Sequence, residues 1–193
     1  MYRRLRFNNC TYLVNVYLAN VSSIDSYAFS SCTSLAQITL SDTINIKDEH
    51  AFDGAGLTNI NLKNISIVRE HAFANCSSLR SVDFSLSGIT ELLDFIFKNC
   101  TSLDNVSIPS TANMIKDGAI EGYTQLKKIF ISVSVTYIGY DQSLYAVFTG
   151  CTSLSDVYYS ETSDQWNSIT IACDYDKEIL SSDKIHFNST HIE

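Results

Sequence analysis

SCTSLAQITL, residues 31–40, is a stretch that the chain repeats. Close copies follow as NCSSLRSVDF at 75–84, NCTSLDNVSI at 99–108 and GCTSLSDVYY at 150–159. A stretch that returns at a regular interval indicates repeated structural units, each of which buries its apolar side against its neighbours. The chain is therefore expected to fold as a stack of similar units, which we call rungs.

Alignment of the copies on their first leucine reveals three weaker repeats and gives seven rungs. The aligned leucines are Leu13, Leu35, Leu57, Leu79, Leu103, Leu126 and Leu154. They are separated by 22, 22, 22, 24, 23 and 28 residues. This interval is typical of leucine-rich repeats. The longest step contains an insertion around residues 139–145, and function in that loop is one interpretation beside a tolerated bulge.

Each leucine is followed by apolar residues three and five positions later, with polar residues between them, as in Ile38 and Leu40. This alternation predicts a short strand with one buried face. The sequence therefore predicts a leucine-rich-repeat solenoid of mixed α/β class. About seven rungs, each with a short parallel strand, would span residues 7–159 of a single domain, 1–193, with a C-terminal cap over 160–193.

A second apolar cluster, usually an isoleucine followed by Ala-Phe, closes each rung. We interpret it as a helical turn or irregular segment opposite the strands, with its Phe packed between neighbouring rungs. The pairs are Ile24 with Phe29, Ile46 with Phe52, Ile67 with Phe73, Leu92 with Phe97, Ile115 with Ile120, and Ile138 with Phe148.

Five of the six cysteines occupy one equivalent repeat position: Cys10, Cys32, Cys76, Cys100 and Cys151. Free cysteine is among the most buried residue types, so we expect a column of small, buried, reduced thiols. No two cysteines have the Cys-x-x-Cys spacing of a zinc site.

The 193-residue chain has a formal net charge of −8. Nucleic acids and anionic membranes require a basic surface, so neither is expected as the main partner. The sequence contains no run of 18 apolar residues, so direct membrane insertion is not expected. The basic N-terminus lacks the apolar run of a signal peptide, so a signal for export would lie outside this chain.

The two ends of the repeat array differ in sequence. Residues 7–10 match residues 29–32, so the chain begins in the middle of a repeat and the first rung is expected to be poorly covered. At the other end, Thr162 and Gln165 have the spacing of a helix capping box. Trp166 is expected to cover the last rung, and short strands are predicted at 169–171 and 184–187.

The repeat, a small residue followed by Cys-Thr-Ser-Leu and later by Ala-Phe, resembles the BspA-like leucine-rich-repeat family across residues 7–159. The Tyr158-Tyr159-Ser160 and Asp164-Gln165-Trp166 segments are similar to the ending of bacterial members. The rung with Gly54-Ala55-Gly56 departs from the pattern. The resemblance implies a cell-surface or secreted protein used in adhesion, which binds host matrix proteins or other bacteria. It supplies no catalytic residues.

The residues between the buried strand positions should face outward on the concave side of the solenoid. Large and charged groups gather there in the C-terminal third, at Lys128, Phe130, Asp156 and Tyr158. They are the main candidates for binding, because exposed aromatic residues are enriched at interface hot spots. Two alternatives stay open: a hydrated sheet face without a ligand, and packing of Phe130 on Tyr158. Further candidates on the same face are Tyr17, Asn59, Asn61 and Asp83.

No motif for catalysis, nucleotide binding or a metal centre is present, so we expect no enzymatic activity and no cofactor. His50 and His71 occupy equivalent positions and should stack about 5 Å apart. A metal site there is the minor interpretation and a solvated face the major one. The leading hypothesis is a binding or adhesion module for a protein or glycan on a host or neighbouring cell. The alternatives are a structural spacer and an intracellular protein-interaction scaffold.

Overall fold

The computed structural model describes residues 7–18, 21–41, 44–46, 48–84, 86–140 and 145–191. Short parallel strands follow one another along one side of the stack and form what we call the main sheet. These strands are β1 (Asn15–Leu18), β3 (Gln37–Leu40), β5 (Asn59–Asn61), β6 (Ser81–Asp83), β8 (Asn105–Ser107), β10 (Lys128–Ile131), β12 (Asp156–Tyr159) and β14 (Ile185–His186).

The strands of the main sheet align residue by residue within three hydrogen-bonded groups: β1 with β3, β5 with β6, and β8 with β10, β12 and β14. Ile38 lies beside Val16, and Ile129 lies beside both Val106 and Val157. The apolar residues point into the core, whereas the alternate residues, such as Asn59 and Asn61 around buried Ile60, are exposed. The predicted leucine-rich-repeat solenoid is confirmed.

A second series of two-residue strands closes the rungs, and the sequence analysis missed it. The series consists of β2 (Ser23–Ile24), β4 (Asn45–Ile46), β7 (Glu91–Leu92), β9 (Met114–Ile115), β11 (Tyr137–Ile138) and β13 (Thr170–Ile171). The third rung contributes Val68, which bridges to Ile46. Our assignment of Ile67 to the core was wrong, because Val68 is buried and Ile67 is 39% exposed.

The predicted Phe column occupies the centre of the stack. Phe7, Phe29, Phe52, Phe73 and Phe97 stack face to face, with ring centroids 5.2–5.3 Å apart. The Ala-Phe segments form turns, and each Phe after Phe7 is at most 2% exposed. These rings therefore join one rung to the next through the core.

The turn before each leucine explains why the repeat needs a small residue and then a cysteine. Residues that precede the cysteine have positive φ, as at Ser31, Asn75, Asn99 and Gly150, and small or amide side chains tolerate that conformation best. The buried thiols donate hydrogen bonds to carbonyl groups of earlier rungs; Cys76 Sγ, for example, lies 3.2 Å from Phe52 O.

Four of the five aligned cysteines are buried and all are free, as expected. Cys10 differs, because its side chain is exposed. In the described residues its rung is the first, so no earlier described rung lies over this cysteine. The prediction of burial was therefore wrong for Cys10.

The C-terminal segment packs on the last rung. It contains α1 (Ser163–Trp166), α2 (Asp174–Ile179) and a 3₁₀ turn (Ser182–Lys184), besides β13 and β14. The predicted capping box and both predicted strands are present, and Trp166 is 7% exposed with its ring edge against Tyr159. The helix α2 was not predicted.

Buried Asp176 of α2 ends the hydrogen-bond ladder between rungs. Its carboxylate accepts hydrogen bonds from Val147 N and Phe148 N, both at 3.0 Å. At the same turn of earlier rungs, the N–H equivalent to Phe148 N donates to the next rung, as Phe29 N does to Ala51 O at 2.8 Å, whereas the N–H before it bonds within its own turn, as Ala28 N does to Asp25 O at 3.2 Å. Across the described part of the chain, no helix is long and apolar enough to cross a membrane.

Candidate functional site

Four of the predicted binding residues lie together on two neighbouring strands of the main sheet. Lys128 pairs with Asp156, and Phe130 pairs with Tyr158, in the parallel register of β10 and β12. Because alternate residues of a strand share a face, these side chains lie on the outward face of the sheet. We call Lys128, Phe130, Asp156, Tyr158 and the adjacent His186 the strand-face cluster.

His186 completes this cluster from the C-terminal segment. It lies beside Tyr158 in the register of β12 and β14, and its ring stacks on the Tyr158 ring at a centroid distance of 4.8 Å. Its Nε2 atom lies 2.7 Å from Asp156 Oδ1. Sequence analysis missed this residue, although the repeat phase continued into the tail would have placed His186 at the position of Tyr158.

The charged groups of the cluster contact neighbouring polar groups and a ring. Ser155 Oγ donates a hydrogen bond to Asp156 Oδ2 at 2.7 Å, and this bond together with that of His186 lowers the pKa of Asp156. Lys128 Nζ lies 5.7 Å from the centre of the Tyr158 ring, within the range of a cation–π contact. The carboxylate therefore stays ionised at neutral pH beside an ammonium group and an imidazole.

Exposure divides the cluster into groups that reach solvent and one that does not. Lys128, Phe130 and Asp156 are partly exposed and His186 is exposed. Tyr158 is only 5% exposed, because neighbouring side chains cover its ring. Tyr158 thus supports the surface more than it offers contact area, which differs from the expectation of a large exposed ring.

The other four candidates lie elsewhere on the main sheet. Asn61 and Asp83 are paired in register on β5 and β6, and Asn59 lies on the same exposed side. Tyr17, which is 79% exposed, lies on β1 at the opposite end. Five strand spacings separate β1 from β10, about 24 Å. The structure therefore does not bring all eight residues into one site.

His50 and His71 stack at a centroid distance of 4.4 Å, close to the predicted spacing. They belong to a column of rings with Tyr27 and Phe95, and both are half-buried rather than fully solvated. His50 Nδ1 lies 2.9 Å from Asp53 Oδ2. Within the described ranges, no group of three His, Cys, Asp or Glu residues is arranged to hold a metal ion.

Solved structures support the fold. A leucine-rich repeat protein from T. pallidum is 24% identical, with a TM-score of 0.58 over 75% of this chain and 69% of its own. One from Bacteroides ovatus is 22% identical, with a TM-score of 0.57 over 81% of this chain and 51% of its own.

A third similar structure is a leucine rich cell surface protein from Faecalibacterium prausnitzii. It is 24% identical, with a TM-score of 0.45 over 85% of this chain and 64% of its own. The chain thus spans about half to two thirds of the length of these proteins. No curated protein matches it.

The sequence matches the family described as the BspA type leucine rich repeat region, in six copies. The matches cover residues 3–93 and 71–192, nearly the whole chain. The chain therefore belongs to the BspA-type leucine-rich-repeat family.

Proposed function

We propose that the chain is a non-enzymatic binding module of a cell-surface or secreted protein. Its contact surface is the strand-face cluster, and its partner is a protein or glycan on a host or neighbouring cell. The observation that carries this proposal is the contiguous arrangement of Lys128, Phe130, Asp156 and His186 on neighbouring strands, where the earlier rungs, apart from Tyr17 on β1, carry non-aromatic polar residues.

The arrangement favours recognition over a role as a spacer. A half-exposed Phe ring supplies apolar contact area, and the adjacent ammonium, carboxylate and imidazole groups supply directional contacts. Because Lys128 and Asp156 are anchored on neighbouring strands, little conformational freedom is lost when a partner binds. A spacer requires no such combination on its solvent face.

The proposed location rests on the family. BspA-type proteins are generally found at the cell surface, and one structural relative is described as a cell surface protein. An acidic, mostly polar surface with net charge −8 suits a partner other than nucleic acid or anionic lipid.

A binding screen tests the proposal. The intact chain is passed over immobilised fibronectin, laminin and collagen and over a glycan array. Saturable binding to at least one probe, with an affinity in the micromolar range or tighter, is the expected result. Absence of saturable binding to every protein and glycan would favour the spacer instead.

A further inference from the structure

A second surface of the molecule, outside the main sheet, contains a cleft of about 570 Å³. The turns before the Ala-Phe segments form one wall, and the two described ends of the insertion, Tyr140 and Tyr145, form another. None of the residues of the strand-face cluster lines it. Binding here is therefore independent of the function proposed above.

Aromatic rings form the apolar part of the cleft. Tyr27, His50, His71 and Phe95 occupy the same position in four successive rungs and stack with centroids 4.4–5.0 Å apart. The last two of them line the cleft. Tyr145 meets Phe95 edge to face at 5.3 Å, and Tyr140 is 61% exposed. The cleft thus has ring surfaces on both of its walls.

A column of carboxylates runs beside the rings, one residue before His50, His71, Phe95 and Gly118. Its members are Glu49, Glu70, Asp94 and Asp117, and all four line the cleft. The backbone fixes this arrangement, because His50 N donates to Glu70 O at 3.2 Å, His71 N to Asp94 O at 3.1 Å and Phe95 N to Asp117 O at 3.0 Å.

The charge of the cleft is negative. Among the described residues that line it, Lys116 alone carries an ammonium group, and this group is paired with Glu91, outside the lining, at 2.9 Å. Burial lowers the pKa of His71, and electrostatic repulsion from His50 lowers it further. The His71 ring is therefore uncharged at neutral pH. Burial and the carboxylate of Asp117 raise the pKa of Asp94. The carboxylates therefore repel one another, and a bound cation would relieve that repulsion.

The chain itself shows how an ammonium group sits against these rings. Lys98 Nζ lies 4.7 Å from the centre of the Phe95 ring and 6.0 Å from that of Tyr145, and it pairs with Glu121 at 3.1 Å. Lys98 is not among the residues that line the cleft. Phe95 and Tyr145 do line it, so Lys98 contacts two rings of the cleft from outside its lining.

We propose that the cleft binds an alkylammonium group, with the charged end among Glu70, Asp94 and Asp117 and the apolar stem against Tyr140 and Tyr145. Carboxylates and ring faces both attract such a cation, and the rings also accept the methylene groups of its stem. A compact metal ion would not use the rings. A lysine side chain of another protein and a free diamine present the same chemical group.

The test is a titration of the full-length, ¹⁵N-labelled chain followed by NMR. The probes are cadaverine, Nα-acetyl-lysine amide, and its Nε-acetylated analogue, which lacks the charge. The expected result is saturable shifts of amides around residues 94, 117 and 140 with the charged probes and none with the neutral analogue. Binding of Nα-acetyl-lysine amide would indicate a lysine side chain, and binding of cadaverine alone would indicate a free amine.

Variants locate the site. The double substitution Glu70→Gln with Asp94→Asn should weaken binding about tenfold, because it removes charge-assisted contacts. Tyr140→Ala should weaken binding about threefold, because it removes one of the ring surfaces that the ligand contacts. The control, Asp164→Asn with Asp183→Asn, removes the same charge from exposed residues outside the cleft and should leave binding unchanged. Shifts that do not saturate, equal shifts with the neutral analogue, or equal loss in both double variants would overturn the proposal.

Discussion

At the scale of single residues, the cysteine column makes a prediction about thiol chemistry. Burial raises the pKa of Cys76 and of Cys151 to about 12, and Cys100 is shifted in the same direction. A thiol with that pKa is ionised in only about one molecule in ten thousand at pH 8, and only the thiolate reacts.

Native protein treated with a thiol reagent at pH 8 should therefore label quickly at two positions, exposed Cys10 and half-exposed Cys173. Denatured protein should label at all six cysteines. Fast labelling of Cys76 or Cys100 in the native protein would show that the column is not closed to solvent.

The Phe column predicts large losses of stability on truncation. Phe52→Ala and Phe73→Ala should each lower the free energy of unfolding by about 3–5 kcal/mol, because each removes a fully buried ring between two others. Tyr17→Ala, at a ring that is 79% exposed, is the control and should change stability by less than about 0.5 kcal/mol. Urea denaturation measures both, and similar midpoints for Phe73→Ala and the control would contradict the assignment.

The sequence predicted this core well because its signal is periodic. The buried Phe residues recur at one repeat position, after Ala in three rungs and after Ile96 or Val147 in two, and repetition makes such a position visible without a structure. The error at Ile67 arose because two adjacent apolar residues, Ile67 and Val68, compete for one inward position. Only the backbone register, which bridges Val68 to Ile46, decides between them.

At the scale of elements, Asp176 is the residue through which α2 closes the array. Asp176→Ala should lower stability by about 2–4 kcal/mol, because two buried N–H groups lose a charged acceptor. The control is Asp174→Ala, two residues earlier in α2, where the carboxylate is exposed and pairs only with Lys177 in the described structure. Thermal melts with equal shifts for the two variants would be inconsistent with a capping role.

Elements without periodic support were the ones that the sequence did not reveal. The closing strands contain two residues each, too few for an alternating pattern to be recognised. Nothing in the sequence distinguishes Asp176 from the other acidic residues of the chain, because its two backbone partners lie 28 and 29 residues away. His186 was likewise missed, because the tail was considered a cap rather than a continuation of the main sheet.

At the scale of the whole molecule, stability should vary along the stack. Strand β1 pairs with β3 alone in the described structure, and Cys10, Tyr12 and Tyr17 of its rung are exposed. The last rung is covered by β14, Trp166 and Asp176. Hydrogen exchange should therefore be fastest at residues 10–18 and slowest around β10 and β12. Equal protection of β1 and β10 would contradict this gradient.

We propose that the C-terminal part of the main sheet is the surface that binds a partner. The most direct test is a surface plasmon resonance titration against whichever matrix protein or glycan binds in the screen. The variant Lys128→Glu with Phe130→Ser alters two partly exposed members of the strand-face cluster and spares Tyr158, which packing requires.

Its matched control is Lys177→Glu with Tyr175→Ser, the same kinds of change on exposed residues of α2. We expect a loss of affinity of about tenfold or more for the cluster variant, wild-type affinity for the control and similar melting temperatures for both. Unchanged affinity in the cluster variant would contradict the claim.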